Sequence, residues 1–229
     1  MQPYRCFHSQ YRERLSLADG TRAELRLVRP EDAELLRDGF ERLSERSRFQ
    51  RFTSPKPRLP EEELRYLLNV DGERHLAIGA VTWSPAGREV GLGVARFIRL
   101  AHAPEIAEVA ITVVDDAQGK GLGRILMDRL VEAARERGVE RFEFRVLAGN
   151  MPMYRLVRAL APCEPEQDDD ALCFNVPLAV PARGGYDLPR SLLALAAQGA
   201  VILIGPTCRW RGLPRVSPPA GYEEAVRSS

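Results

Sequence analysis

The spacing of apolar positions changes several times along this 229-residue chain, and each change predicts an element. Alternating runs at residues 15–17 and 23–28 flank Asp19-Gly20 and predict a hairpin. After Pro30 the period becomes helical. Ala33, Leu35, Leu36, Phe40 and Leu43 share one face, with Pro30 in its tolerated first-turn place and Glu31 and Asp32 near the positive end. A bend at Pro55, Pro57 and Pro60 leads into a second helix over residues 61–69. Two strands, 75–83 and 91–100, follow, divided by Ser84-Pro85-Ala86-Gly87. The apolar run 109–114 predicts a buried strand, and Leu122, Ile125, Leu126, Leu130, Ala133 and Ala134 then mark one face of a long helix. Residues 141–147 alternate as a strand, 150–160 repeat as a helix, and 171–180 form a last strand. The order β-β-α-α-β-β-β-α-β-α-β predicts an α/β (α+β) fold, a mixed sheet with helices on both faces.

Pro177, Pro181 and Arg183-Gly184-Gly185 mark a boundary. Beyond it, 188–197 is patterned as a helix, 201–204 as a short buried strand and 214–229 as a loose tail. The expected organisation is an N-terminal segment and hairpin arm over 1–20, a main domain over 21–180, and an extension over 181–229.

Composition narrows the class. Apolar residues make up 45% and charged residues 28%, with a formal net charge of +1 and both signs interspersed, which argues against a broad nucleic-acid surface. Cys6, Cys163, Cys173 and Cys208, like His8, His75 and His102, lack metal-ligand spacing, so no metal is expected. Residues 1–11 are polar, without the apolar core of a signal peptide. The longest apolar stretch, 192–204, is interrupted by Gln198 and Gly199 and is shorter than the ~20 residues a spanning helix needs. A cytoplasmic protein with no membrane or nucleic-acid partner is the expectation.

The chemistry concentrates in the loop Gln118-Gly119-Lys120-Gly121-Leu122-Gly123, between the strand 109–114 and the long helix. Such a loop leaves several N–H groups unpaired beside the positive end of a helix, a site for a phosphate or pyrophosphate. A nucleotide P-loop requires Ser or Thr after its lysine, but Lys120 is followed by Gly121. A dinucleotide fingerprint requires a third glycine where the chain has Leu126. A turn that merely joins strand to helix is the plain alternative.

The pattern Gln118-x-x-Gly121-x-Gly123 resembles the acyl-CoA signature of the GNAT superfamily of N-acetyltransferases, and the element order over 21–180 is similar too. RLVRPEDAELL, FERLSERSRFQRF, NVDGERH and VVDDAQGKGLG look like segments of the bacterial Pat-type protein-lysine acetyltransferases. The resemblance implies a GNAT acyl-CoA N-acyltransferase fold with a C-terminal extension, and acetyl-CoA as co-substrate. It assigns backbone groups of Val113 and Val114 to the pantetheine arm. Gln118, Gly119, Lys120, Gly121, Leu122, Gly123 and Arg124 would surround the pyrophosphate, Lys120 and Arg124 adding charge, and Asn150 would lie near the arm or simply cap its helix.

An ammonium has no lone pair, so transfer to an amine needs a base; the resemblance assigns that role to Glu108. Glu105 is the reserve, with Pro104 placing it in a loop. The tyrosine that many relatives use as general acid corresponds to Val157 here, Tyr154 lies one turn earlier, and Ala161-Pro162 replaces the usual Gly-Phe. The implied acceptor is a protein lysine, the alternatives being a polyamine or aminoglycoside-like amine, or a catalytically silent acyl-CoA-binding module. Glu164, Glu166, Asp168, Asp169 and Asp170 are expected to border the acceptor side, with Arg48, Phe49, Arg51 and Phe52 as its opposite wall. Pat-type enzymes are often fused to nucleotide-binding or synthetase-like domains, and 229 residues are not expected to hold either. Residues 183–229 could meet a second subunit, so a homodimer stays among the expected partners.

Overall fold

The computed structural model describes residues 6–52, 56–161 and 163–178. The hairpin forms as expected from β1 (Arg12–Ser16) and β2 (Arg22–Leu27). At its turn Gly20 takes φ 84°, and the Asp19 carboxylate accepts from the Thr21 N–H and hydroxyl. A single 3-10 turn, Pro30–Asp32, leads into α1 (Ala33–Glu41). It is pinned to β2 because Asp32 accepts both terminal nitrogens of Arg26, at 2.7 and 2.8 Å, as well as the Arg29 N–H.

α2 (Glu45–Phe52) and α3 (Glu61–Leu68) complete the first helical layer. α2 is absent from the element order read in the sequence. Its mean polarity hides it, but Phe49 and Phe52 are both buried, and the Ser44 hydroxyl accepts from the Ser47 N–H at its start. β3 (His75–Trp83), β4 (Glu89–Leu100) and β5 (Ala103–Val113) form an antiparallel meander, and α4 (Leu122–Glu136) crosses to β6 (Arg141–Leu147), parallel to β5. α5 (Met151–Arg158), β7 (Glu166–Asp168) and β8 (Ala171–Pro177) follow. β7 is the second unexpected element, a three-residue edge strand with two acidic residues that pairs antiparallel with β8. The sheet order is β1-β2-β3-β4-β5-β6-β8-β7.

β5 begins at Ala103, so Glu105 lies in the strand and not in the loop that Pro104 suggested. A register shift at Arg99/Leu100 accommodates Pro104, whose missing N–H would otherwise break the ladder, and the Glu105 carbonyl accepts from the Glu140 N–H. The main core packs α4, through Leu122, Leu126, Met127 and Leu130, against Phe97, Ala107, Phe142 and Phe174 of the sheet. A smaller cluster, Phe40, Leu43 and Phe52, ties α1 to α2 on the other face. Among the described residues, no helix is long and apolar enough to cross a membrane. The elements expected over 188–229 and the boundary after 181 lie outside the described residues.

Candidate active site

β5 and β6 pair with each other only at Ile106↔Arg141, Ala107↔Phe142 and Glu108↔Glu143, after which β5 stays paired with β4 and β6 with β8 but not with one another. The strands therefore diverge, and a wedge opens on the far side of Glu108. Backbone groups alternate in direction along a strand, and Glu105 directs its carbonyl toward the β6 side while Val114 directs its N–H to Leu92 of β4. By that alternation Val109, Ile111 and Val113 present N–H and C=O groups to the wedge, where no strand pairs with them. Unpaired strand edges of this kind add an extended ligand through main-chain hydrogen bonds.

The open end of the wedge meets the start of α4. Gly119 and Gly121 are both left-handed, at φ 72° and 84°, and nothing lies within 4 Å of a Cβ built on either. Backbone conformation, not crowding, requires glycine there. The first backbone bond into the helix is Ile125 N–H to the Gly121 carbonyl, and among the described residues the N–H groups of 119–124 have no backbone acceptor. These unpaired amides and the α4 dipole form an anion cradle. Gln118 braces it, its side-chain amide donating to the Val113 carbonyl at 3.0 Å and to Asp115 at 3.1 Å. Asp115 in turn accepts from the Ser47 hydroxyl (2.7 Å) and the Ser44 N–H (3.1 Å), which joins the loop to α2.

Wedge and cradle belong to one cleft of about 720 Å³. Of the residues expected at a site, Glu108, Val113, Gln118, Gly119, Gly121, Leu122, Gly123, Arg124 and Asn150 line it. Two are placed elsewhere. Val114 is buried with both backbone groups engaged, donating to Leu92 and accepting from Ala117, so it offers no free N–H to a ligand. Lys120 turns its ammonium to Asp19 in the β1–β2 turn, at 2.7 Å, and is not part of the lining. Asn150 caps α5 through its side chain, which accepts from the Met153 N–H at 3.2 Å, while also bordering the cleft.

The acceptor-side expectations change more. None of Glu164, Glu166, Asp168, Asp169 and Asp170 lines the cleft: they sit at the far sheet edge, where Asp168 pairs with Arg145 and Glu164 with Arg158. Of the opposite wall, Arg51 and Phe52 line the cleft. Arg48 instead stacks on Phe40 and donates to the carbonyls of Glu41 and Pro57, and Phe49 is buried. Tyr154 packs on Phe174 and Val157 is buried, so neither reaches the cleft.

Residues that sequence reasoning missed appear beside Glu108. Glu143 pairs with it at the last rung of the parallel ladder, which directs both side chains to the same face. Burial and then the charge of Glu108 raise the Glu143 pKa, with His102 opposing. Tyr66 of α3 also lines this end; burial and then Glu108 raise its pKa, so its phenol stays protonated at neutral pH. Only the β5–β6 register and the return of α3 reveal these neighbours, because Glu143 reads as the polar position of an alternating strand. Among the described residues no group of His, Cys, Asp or Glu is arranged to hold a metal ion.

Residues 33–161 match the model of the acetyltransferase (GNAT) family. This chain belongs to the GNAT family. GNAT enzymes use acetyl-CoA as acetyl donor, and the cradle and unpaired β5 edge are suited to its phosphates and its extended arm. Acetyltransferase Pat of Mycolicibacterium smegmatis is 38% identical over 136 residues, 59% of this chain but 40% of that protein. The chain thus spans less than half of that relative. An acetyltransferase of Pseudomonas aeruginosa is 31% identical over 68% of this chain and 83% of its own length. Among solved structures, the GNAT domain of S. lividans PAT superposes with a TM-score of 0.66 at 25% identity, covering 75% of this chain and 99% of that one. A cAMP-binding acyltransferase from Mycobacterium smegmatis gives 0.52 at 30% identity, covering 74% and 48%. Over its GNAT region the chain is similar to the corresponding domain of the Pat acetyltransferases.

Proposed function

We propose that this acetyltransferase transfers acetyl to a protein lysine, with Glu108 as general base. The observation that carries the reading is the position of Glu108 at the closed end of the wedge, where the free edge of β5 begins. Acetyl-CoA supplies the acetyl group as a thioester. The chain holds its phosphates on the amides of 119–124, with Arg124 at the lip, and its arm along Val109, Ile111 and Val113. Glu108 takes a proton from the acceptor ammonium, and a β5 N–H donates to the oxygen that gains charge during attack. Tyr66 borders the same space as a protonated phenol and replaces the missing helix tyrosine as candidate proton donor to the departing thiolate. The Pat relatives support lysine as the acceptor. The catalytic domain is assigned to residues 21–180.

The test is thiol release from acetyl-CoA across lysine peptides, proteins, polyamines and aminoglycosides. Glu108→Gln is expected to lower kcat by about 10²–10⁴ while CoA still binds, the usual range for losing a general base. Wild-type turnover in Glu108→Gln would remove Glu108 from the mechanism. CoA binding without turnover on any amine would leave a binding module.

A further inference from the structure

The chain buries two arginines in very different ways. Arg26 is 3% exposed and holds two carboxylates, Asp32 at 2.7 and 2.8 Å and Glu89 at 2.6 Å. Arg96, in the middle of β4, is 2% exposed, yet its located partners are neutral: the Leu67 carbonyl at 2.9 Å and the His75 ring nitrogen Nε2 at 3.1 Å. A guanidinium only donates, so His75 accepts here and is neutral. The ion pairs located among the described residues do not include Arg96 or Arg51. Arg51 lies over the Phe52 ring at 4.9 Å, and the acid nearest to it in charge, Glu63, is clamped by Lys56 at 2.6 and 2.7 Å. Both arginines line the cleft.

Burial lowers the pKa of each, and the charge of Arg51 lowers that of Arg96 further. For arginine that describes a charge held at a cost and not a proton lost. Two desolvated guanidinium groups lining one space favour an anion there, and their forked donors match a carboxylate. The pair is not part of the phosphate cradle. Arg96 pairs across the ladder with Ala110, two residues from Glu108, whereas the cradle begins beyond Val113. Ala110 and Glu108 share a strand face, and Tyr66 registers the charges of Glu108, Arg96 and Arg51 together. This is the acceptor side.

We propose that Arg51 and Arg96 form a carboxylate subsite, so that the preferred acceptor carries an acid group close to the amine it presents to Glu108. The inference deepens the acetyltransferase reading and rests on it. The carboxylate has two sources, an Asp or Glu side chain beside a target lysine or the α-carboxylate of a free amino acid, and the assay separates them.

One arm compares lysine peptides with Glu, Gln or Lys at the neighbouring positions. A second compares free amino acids with their methyl esters. The full chain is expected to favour the carboxylate member by about 10- to 100-fold in kcat/KM, the span of one charge-assisted hydrogen bond. Arg51→Gln should abolish that preference, Arg51→Lys should keep part of it, and the KM for acetyl-CoA should not move in either. A preference in the peptide arm alone assigns the subsite to a protein side chain, and one in the amino-acid arm alone to an α-carboxylate. Equal rates for acid and amide or ester partners overturn the proposal.

A second readout needs no turnover. In ¹⁵N spectra of the arginine Nε–H groups, titration with glutarate should shift Arg51 and Arg96 saturably in wild type, with the Arg96 response weakened in Arg51→Gln. Absence of a saturable shift overturns the subsite by itself. Failure of every amine substrate, with the shift present, refutes the acetyltransferase reading and leaves the subsite standing.

Discussion

Gly121 and Gly123 differ by two positions at the start of α4, and the same substitution should act oppositely at the two. Gly121 is left-handed at φ 84°, with nothing within 4 Å of an added Cβ. Only the backbone resists alanine there, and holding an L-residue in that region costs about 1–2 kcal/mol. Gly123 lies inside the helix, outside the left-handed region, and its added Cβ would lie 3.9 Å from Leu156 and 4.0 Å from Val113, ordinary contact distances. Alanine exceeds glycine in helix propensity by about 0.8–1.0 kcal/mol, so Gly123→Ala should be neutral or stabilising by up to about that amount. At about 2–4 °C per kcal/mol for a chain of this size, the two variants should melt several degrees apart by circular dichroism.

Calorimetric titration with CoA reads the second consequence. The left-handed turn aims the cradle amides, so Gly121→Ala should raise the CoA Kd by about tenfold, near the low end for one charge-assisted hydrogen bond. Equal melting of Gly121→Ala and wild type, or destabilisation of Gly123→Ala alone, would refute this account of the turn.

Three further outcomes follow from the site and its supports. Lys120→Met should change CoA affinity by less than about threefold, because its ammonium is committed to Asp19, whereas Arg124→Met at the exposed lip should weaken it by about tenfold; calorimetry compares them. Asp32→Ala should cost about 3 kcal/mol in urea unfolding, since it leaves the buried Arg26 with Glu89 alone. His75 is held neutral, its pKa lowered to about 4 by burial and then by Arg96, against 6.5 in the unfolded chain. The unfolded state therefore binds the extra proton, so this contribution is complete above pH 6.5 and falls as pH drops toward 4, by up to about 3 kcal/mol. Urea midpoints measured across that window should lose this slope in His75→Gln, and an unchanged slope would place the cause elsewhere.

Local pattern made most of the elements legible. The α4 face, the His75–Trp83 and Arg141–Leu147 strands and the Asp19-Gly20 turn follow from periods and turn chemistry that act over a few residues. α2 escaped because its arginines mask two buried phenylalanines, and β7 because three residues of strand carry no period. The loop motif was equally local, so the cradle could be read before any packing was known.

The sequence by itself determined the family, the anion-binding loop and the order of the elements other than α2 and β7, because each depends on neighbours within one or two turns of chain. Tertiary structure alone decided which charges meet. Local pattern points Lys120 at phosphates, yet Asp19, 101 positions earlier, holds it; the same pattern points the acid run at the acceptor, yet it lies at the far edge of the sheet. The β5–β6 register sets Glu143 beside Glu108, and the β4–β5 ladder places buried Arg96 on the face of Glu108. A charge acts through space on whatever the fold brings near, so its role is set by register and burial, which no run of neighbouring residues encodes.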